Sequence, residues 1–332
     1  MSTTPLPSLI QRFFIGRLQT QLGASPHTVA AYRDTFRLLL GFVAQCRARE
    51  PSSLQLEDLD TPLLSAFLDQ LESQRGNSAK TRNSRLAALH AFFRFVSYEE
   101  PQCLLQCQQV LAIPTKRYTR HSVEFLNEQE TATLLAAPER STWIGRRDHA
   151  LLLVAVQTGL RNSELRALRG RDVELGVGAY VCCMGKGRKT RCTPLRADVV
   201  AVLQDWLAEQ TPHADDPIFP GLRGGFLSAD ALQRLVNRHV QSASTTCASL
   251  QGRKITPHTL RHTAAMALLR HGVDLTVIAL WLGHESIDTT QQYLHADMQL
   301  KERALGYSDP TAGTPPSRFQ PEDSLLTFLK AL

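Results

Sequence analysis

The chain has 332 residues, with 37 Lys and Arg against 31 Asp and Glu and a formal net charge of +6. A hydrophobic content of 43% with 20% charged residues excludes a disordered or fibrous chain, and the length suffices for two domains. The mild basic excess favours a polyanionic partner without requiring one, and no apolar run is long enough to span a bilayer.

Residues 1–112 read as an all-helical domain. The opening M-S-T-T-P-L-P lacks the charged and apolar regions of a secretory leader. Leu9 to Leu22 places Phe13, Phe14, Leu18 and Leu22 close to helical spacing. Ser25-Pro26 starts the next helix, a capping side chain followed by a residue whose fixed φ suits the first turn. Its apolar stripe is Val29, Tyr32, Phe36, Leu39, Leu40 and Val43. Leu59 to Leu71 and Ser78 to Val96 are two further helices, and Cys103 to Leu111 is a short closing one. The Ser78 helix carries Lys80, Arg82 and Arg85 opposite its apolar stripe. The bland reading of these charges is a solvated face; small polar and basic residues also suit close contact with phosphates. Residues 113–123 combine Pro114, Lys116, Arg117 and Arg120 without apolar periodicity, and are placed as a basic linker.

A second domain is expected over residues 124–308. Asn127 with Glu130 has the spacing of a capping box. Arg146 to Thr158 reads as a buried helix ended by Gly159, with Asn162 or Ser163 capping the helix that follows. The run from Asp172 to Leu195 reads as a three-stranded antiparallel meander, with Gly185-Lys186-Gly187 at a tight turn. Arg196 to Leu207 and Ser228 to Val240 are again helical. Seven cysteines are scattered without the spacing of a zinc site, and all are read as reduced, in a cytosolic protein. Residues 309–332 are a proline-rich tether ending in an amphipathic helix of Leu325, Leu326, Phe328, Leu329 and Leu332, which must dock on its own core or on a neighbouring subunit.

Between Ile255 and His295 lie the residues with the most chemistry. Thr256-Pro257 starts a helix on which His258, Arg261 and His262 fall at i, i+3 and i+4. Gly272 ends it, Asp274 starts another over Leu275 to Leu282, and Gly283 sets His284 at a helix end. Tyr293 follows. Arg and His donate to phosphate oxygens, and a phenolic oxygen is a candidate nucleophile. Each residue alone reads better as a cap or a packing group; the conjunction carries the argument.

With Arg161 in T-G-L-R-N-S-E-L, Lys186 in G-K-G-R-K, His258 and Arg261 in H-T-L-R-H, His284 in L-G-H and then Tyr293, the chain resembles the tyrosine recombinase (phage integrase) family. S-P-H-T-V-A-A-Y and the S-A-K-T-R-N-S-R-L helix are similar to that family's core-binding domain. The resemblance implies a mainly α protein with a small antiparallel β-meander: a SAM-like helical core-binding domain and a mixed α/β catalytic domain. It implies that Tyr293 attacks the scissile phosphate of double-stranded DNA and becomes 3′-linked to it. Arg161 and Arg261 would clamp the non-bridging oxygens, and His258 would accept or position the tyrosine proton. Lys186 would protonate the leaving 5′-oxygen, His284 would donate to the phosphate, and Glu164 would support the site. Lys80, Arg82, Arg85, Lys116 and Arg117 are the candidate DNA-contacting residues.

His262 and His295 are set aside as packing residues, and Lys189 is the rival of Lys186. No metal or other cofactor is expected, because religation draws on the covalent intermediate and no Asp/Glu cluster suits two-metal chemistry. The expected partners are DNA recombination sites and further copies of the chain, as a tetramer on two sites, in the cytoplasm with no membrane. The role is placed with integration, excision or transposition of a mobile element. The alternatives are a Xer-type dimer resolvase and a relaxing enzyme of the type IB topoisomerase kind.

Overall fold

The computed structural model describes residues 4–119, 123–185, 190–284 and 286–293. It divides into two compact units, residues 1–120 and 121–332.

The first unit is helical. It begins with α1 (Leu6–Gln11), which continues as a π-helix over Arg12–Gln21, three residues earlier than the apolar spacing predicts. α2 (Pro26–Arg47) and α4 (Ala79–Glu99) begin where their capping signals lie: Ser25 and Ser78 accept from the backbone N–H of Thr28 and Thr81. α3 (Thr61–Ser73) is capped by Asp60, and α5 (Leu104–Leu111) closes the unit. The apolar stripes meet in one core, where the Phe36 and Phe92 rings lie 5.1 Å apart and Phe13 packs edge-on to Phe92 at 5.4 Å. Truncating such a buried ring costs about 3–5 kcal/mol.

The second unit is helices around a small sheet. α6 (Glu128–Ala136) starts in the Asn127–Glu130 capping box. α7 (Trp143–Thr158) buries three leucines in succession, Leu151 to Leu153, so it is enclosed on all sides as the central helix of the unit. After α8 (Asn162–Ala167) come β1 (Val173–Glu174), β2 (Tyr180–Met184) and β3 (Thr190–Pro194), antiparallel in the order β1-β2-β3. α9 (Ala197–Gln210) and α10 (Ala229–Ala243) complete the large core. α11 (Pro257–Arg270), α12 (Leu275–Leu282) and α13 (Asp288–Gln291) build a satellite core of Ala265, Met266, Leu269, Ile278, Leu282 and Tyr293.

Two expectations change. Cys182 and Cys192 face each other across the β2–β3 register and form a disulfide, so the reading of all seven cysteines as reduced does not hold. The cap of α8 is not Asn162 or Ser163. Arg161 occupies that position, and the Glu164 carboxylate reaches back to accept its backbone N–H at 2.8 Å. The tether and tail at 309–332 lie outside the described residues.

Candidate active site

Two helix ends and one guanidinium set the base of the site. Gly159 ends α7 with φ +64°, and Gly283 ends α12 with φ +65°. A side chain at Gly159 would be strained by its conformation and would also meet Leu282, its Cβ falling 2.7 Å from Cδ2. The two ends can therefore approach closely. Arg261, on α11 and 2% exposed, lies between them, its Nη1 donating to the Gly159 carbonyl and its Nη2 to the Leu282 carbonyl, both at 2.7 Å. Carbonyls at helix C-termini carry partial negative charge and are left without intrahelical donors, so a buried cation is well satisfied there. Burial, and then the Arg161 charge, pull the Arg261 pKa down to about 10, which leaves it cationic at neutral pH.

A second guanidinium is held by a shared carboxylate. Glu164 accepts from Arg161 Nη1 at 2.8 Å and from Arg191 Nη1 and Nη2 at 2.9 and 2.7 Å. Arg161 Nη2 donates to the Gly283 carbonyl at 2.8 Å. Burial pushes the Glu164 pKa up. The hydrogen bonds from Arg191 and from the Arg161 backbone, with the two positive charges, outweigh it and bring the value to about 2. Glu164 thus stays ionised and fixes two arginines.

The phenol of Tyr293 sits above this base, fully buried. Its oxygen is 3.0 Å from His262 Nδ1. His258 packs edge-on against His262, with ring centroids 4.1 Å apart, and the His284 ring lies parallel to Tyr293 at 6.4 Å. His284 Nδ1 is 2.8 Å from the Thr290 hydroxyl. Burial raises the Tyr293 pKa, partly offset by the Arg261 and Arg161 charges, so the resting phenol is protonated. His262 is lowered to about 3 by burial and then by His258, Arg261 and His284; His284 is lowered to about 4 by burial and then by the arginines. Both rings are neutral at pH 7, so His262 Nδ1 can accept the phenol hydrogen bond when its proton sits on Nε2.

Arg161, Glu164, His258, Arg261, His284 and Tyr293, drawn from distant parts of the chain, are thus brought together. The ring at the phenol is His262, which the sequence reading set aside as packing; its i+4 relation to His258 was the available signal. Arg191 was missed altogether. Lys186 and Lys189, with His295, lie outside the described residues.

The basic residues of the first unit fall differently. Lys80 and Arg117 are exposed, and Lys116, also exposed, pairs with Glu72 at 2.5 Å. Arg85 Nη1 donates to the Thr35 hydroxyl at 3.2 Å. Arg82 departs from the solvated face that periodicity gave it: it is 5% exposed and donates to the Pro114 carbonyl at 2.8 Å, which ties the linker to α4.

A helical unit followed by a mixed unit with a buried phenol, three arginines and three histidines defines a DNA strand-transferring enzyme once its relatives are considered. Residues 124–300 match the phage integrase family and residues 10–100 its N-terminal SAM-like domain; the chain belongs to the phage integrase, or tyrosine recombinase, family. It is 52% identical over 327 residues to the putative integrase/recombinase y4rC of Sinorhizobium fredii, covering 98% of each chain. It is 35% identical over 312 residues to tyrosine recombinase XerC of Pelobacter propionicus, covering 94% of this chain and 98% of that one. The XerH site-specific recombinase, solved in a post-cleavage complex with a palindromic difH substrate, aligns with TM-score 0.67 and 25% identity over 86% of this chain and 80% of its own. The Tn1549 transposon integrase shares the fold at TM-score 0.66 with 16% identity, over 90% of this chain and 99% of that one.

Proposed function

We propose that the protein is a site-specific DNA recombinase that breaks and rejoins duplex DNA through a 3′-phosphotyrosyl intermediate on Tyr293. One observation carries this reading: a buried phenol within hydrogen-bond reach of a neutral imidazole, with Arg261 and Arg161 as its charged neighbours. Tyr293 Oη forms a bond to the scissile phosphorus as the bond from phosphorus to the 5′-oxygen breaks. The phenol proton passes to His262, with His258 beside it to hold the pair. The leaving 5′-oxygen takes its proton from Lys186. Arg161 and Arg261 keep unshared N–H donors for the non-bridging oxygens. His284 donates from Nε2 when Thr290 donates to its Nδ1. Fixed donors of this kind each contribute about 10²–10³ in rate. Rejoining runs the step backwards, with a 5′-hydroxyl as nucleophile and the phenol as leaving group. The bond energy is kept in the phosphotyrosine, so the chemistry calls on no nucleotide and no metal.

The chain would act as a tetramer on two recombination sites, in the cytoplasm, with Lys80, Lys116 and Arg117 at phosphates and Arg82 acting through the linker it holds. A cavity of about 660 Å³ in the second unit, lined by Leu126, Leu135, Leu153, Val156, Leu268 and Trp281 among others, suits the apolar face of the 325–332 tail from this chain or a neighbour. Integration, excision or transposition of a mobile element is supported by the near full-length likeness to the Sinorhizobium integrase/recombinase. A Xer-type resolvase is the second reading, supported by the likeness to XerC over 94% of the chain.

The test is to trap DNA covalently on the purified protein, sequence it, and rebuild it as a nicked duplex from which the cleaved end diffuses away. The parent is expected to accumulate adduct and Tyr293→Phe to form none while still binding. Adduct on the Phe variant would give the nucleophile to another residue. Joined products from two sites support a recombinase; supercoil relaxation without them would support a type IB topoisomerase-like enzyme.

A further inference from the structure

We infer that Arg191 is a positioning residue for the reaction: it locks the Glu164 carboxylate, and through that carboxylate it sets the orientation of Arg161 toward the phosphate. The inference rests on the strand-transfer reading above.

Arg191 stands on β3, the strand that follows the G-K-G-R-K stretch in the sequence. Its side chain is 12% exposed and both Nη atoms are engaged with Glu164. The fork-to-carboxylate geometry makes this a directional clamp. Glu164 is itself 4% exposed at its side chain, and its oxygens are filled by Arg191, the Arg161 guanidinium and the Arg161 backbone N–H. Arg161, by contrast, keeps a side-chain exposure of 31%, and among the described residues its other guanidinium contact is to the Gly283 carbonyl. Arg161 is therefore open to a ligand on one side, and Arg191, with both Nη atoms held by Glu164, is the brace behind it.

Arg191 also crosses the turn that leads to His284. A Cβ built on Gly283 would fall 2.8 Å from Arg191 Nη1 and 3.0 Å from its Cδ, so the Arg191 side chain packs closely against the backbone there. One side chain thus touches the α8 start and the Gly283 turn, the two segments that aim Arg161. Without Arg191, Glu164 would hold a buried negative charge with half its donors gone, and it would draw Arg161 inward.

The test uses full-length protein and the nicked duplex recovered by covalent trapping, made with either a phosphodiester or a methylphosphonate at the scissile position. A methylphosphonate lacks one anionic oxygen, so its cleavage depends less on the arginine clamp. Single-turnover cleavage of the diester by Arg191→Met is expected to fall by about 10- to 10²-fold. The loss is expected to shrink on the methylphosphonate. In the Glu164→Gln background, adding Arg191→Met is expected to produce little further loss, because both act through one contact. Arg191→Lys, which keeps charge but not the fork, is expected to fall short of the parent and serves if the Met variant does not fold. Parent-like diester cleavage by either folded variant, or a loss of the same size on both substrates and in both backgrounds, would overturn the inference. A parent that forms no adduct at all would instead overturn the strand-transfer reading, and this inference with it.

Discussion

Arg82 and Arg261 are both buried guanidinium groups that donate to backbone carbonyls, one in each unit of the protein. Arg82 fastens a chain segment to a helix. Arg261 binds two helix ends and stands beneath a phenol, two neutral imidazoles and a second arginine. Burial and carbonyl bonding are therefore common to a brace and to a site. The distinguishing feature is the set of titratable neighbours, which in the second unit includes a buried phenol.

The sharpest way to break that contrast is to make the same change twice. Arg261→Gln should slow covalent attachment by about 10²–10³-fold, the usual effect of removing one donor at a developing oxyanion. Arg82→Gln should leave the rate of the bound complex alone and lower the stability of the first unit by about 1–3 kcal/mol, the cost of an unmet buried acceptor. Urea unfolding and single-turnover cleavage at saturating protein separate the two effects. A chemical-step loss in Arg82→Gln equal to that in Arg261→Gln would abolish the distinction.

Most of the framework was legible from local signals. Ser25-Pro26, Ser78, the Asn127–Glu130 box and Thr256-Pro257 all start helices, because a cap needs only residues three positions apart. The chemistry-bearing motifs were legible too, as matches to a family pattern. Illegible were the partners chosen across the chain. The contact between His262 and Tyr293 spans 31 positions and depends on how α13 returns over α11. Arg191 reads as one more basic residue near a turn until β3 is placed beside α8. The Cys182–Cys192 pair was in principle readable: a hairpin folded symmetrically about their midpoint sets them opposite, as Val181 opposite Thr193 requires.

A smaller effect is expected at Thr290, which is fully buried and bonded to His284 Nδ1. Thr290→Val keeps the shape and removes the hydroxyl that selects the ring tautomer. The net worth of one such bond is about 1–1.5 kcal/mol, or roughly tenfold in rate. Arg261 is untouched by this change, so the variant should keep the arginine-dependent part of catalysis. A rate equal to that of the parent would mean that His284 is oriented by its packing against Tyr293 alone.

The last contrast concerns acid, and it separates the two units without touching the reaction. In the folded protein His262 titrates at about 3 and His284 at about 4, well below the ordinary value near 6.5. Below pH 6.5 the unfolded chain takes up protons that these rings refuse. Their contribution to stability is therefore complete above pH 6.5 and is lost as pH falls toward 4 and then 3. His149 in the second unit and His90 in the first are lowered as well, in both cases by burial first. Glu164 enters later: its carboxyl stabilises the fold above about 4.5, and that is lost as pH falls toward 2. Between pH 7 and 5, among the described residues, His149, His262 and His284 thus weaken the second unit and His90 the first. Hydrogen exchange on the intact chain, corrected for intrinsic rates, should show α11 and α12 losing protection faster than α4 over that interval. A His262→Gln, His284→Gln double variant should narrow the gap, and Glu164→Gln should leave it unchanged there. Equal losses in α4 and α11 would show that the titration belongs to the whole chain rather than to the cluster around the phenol.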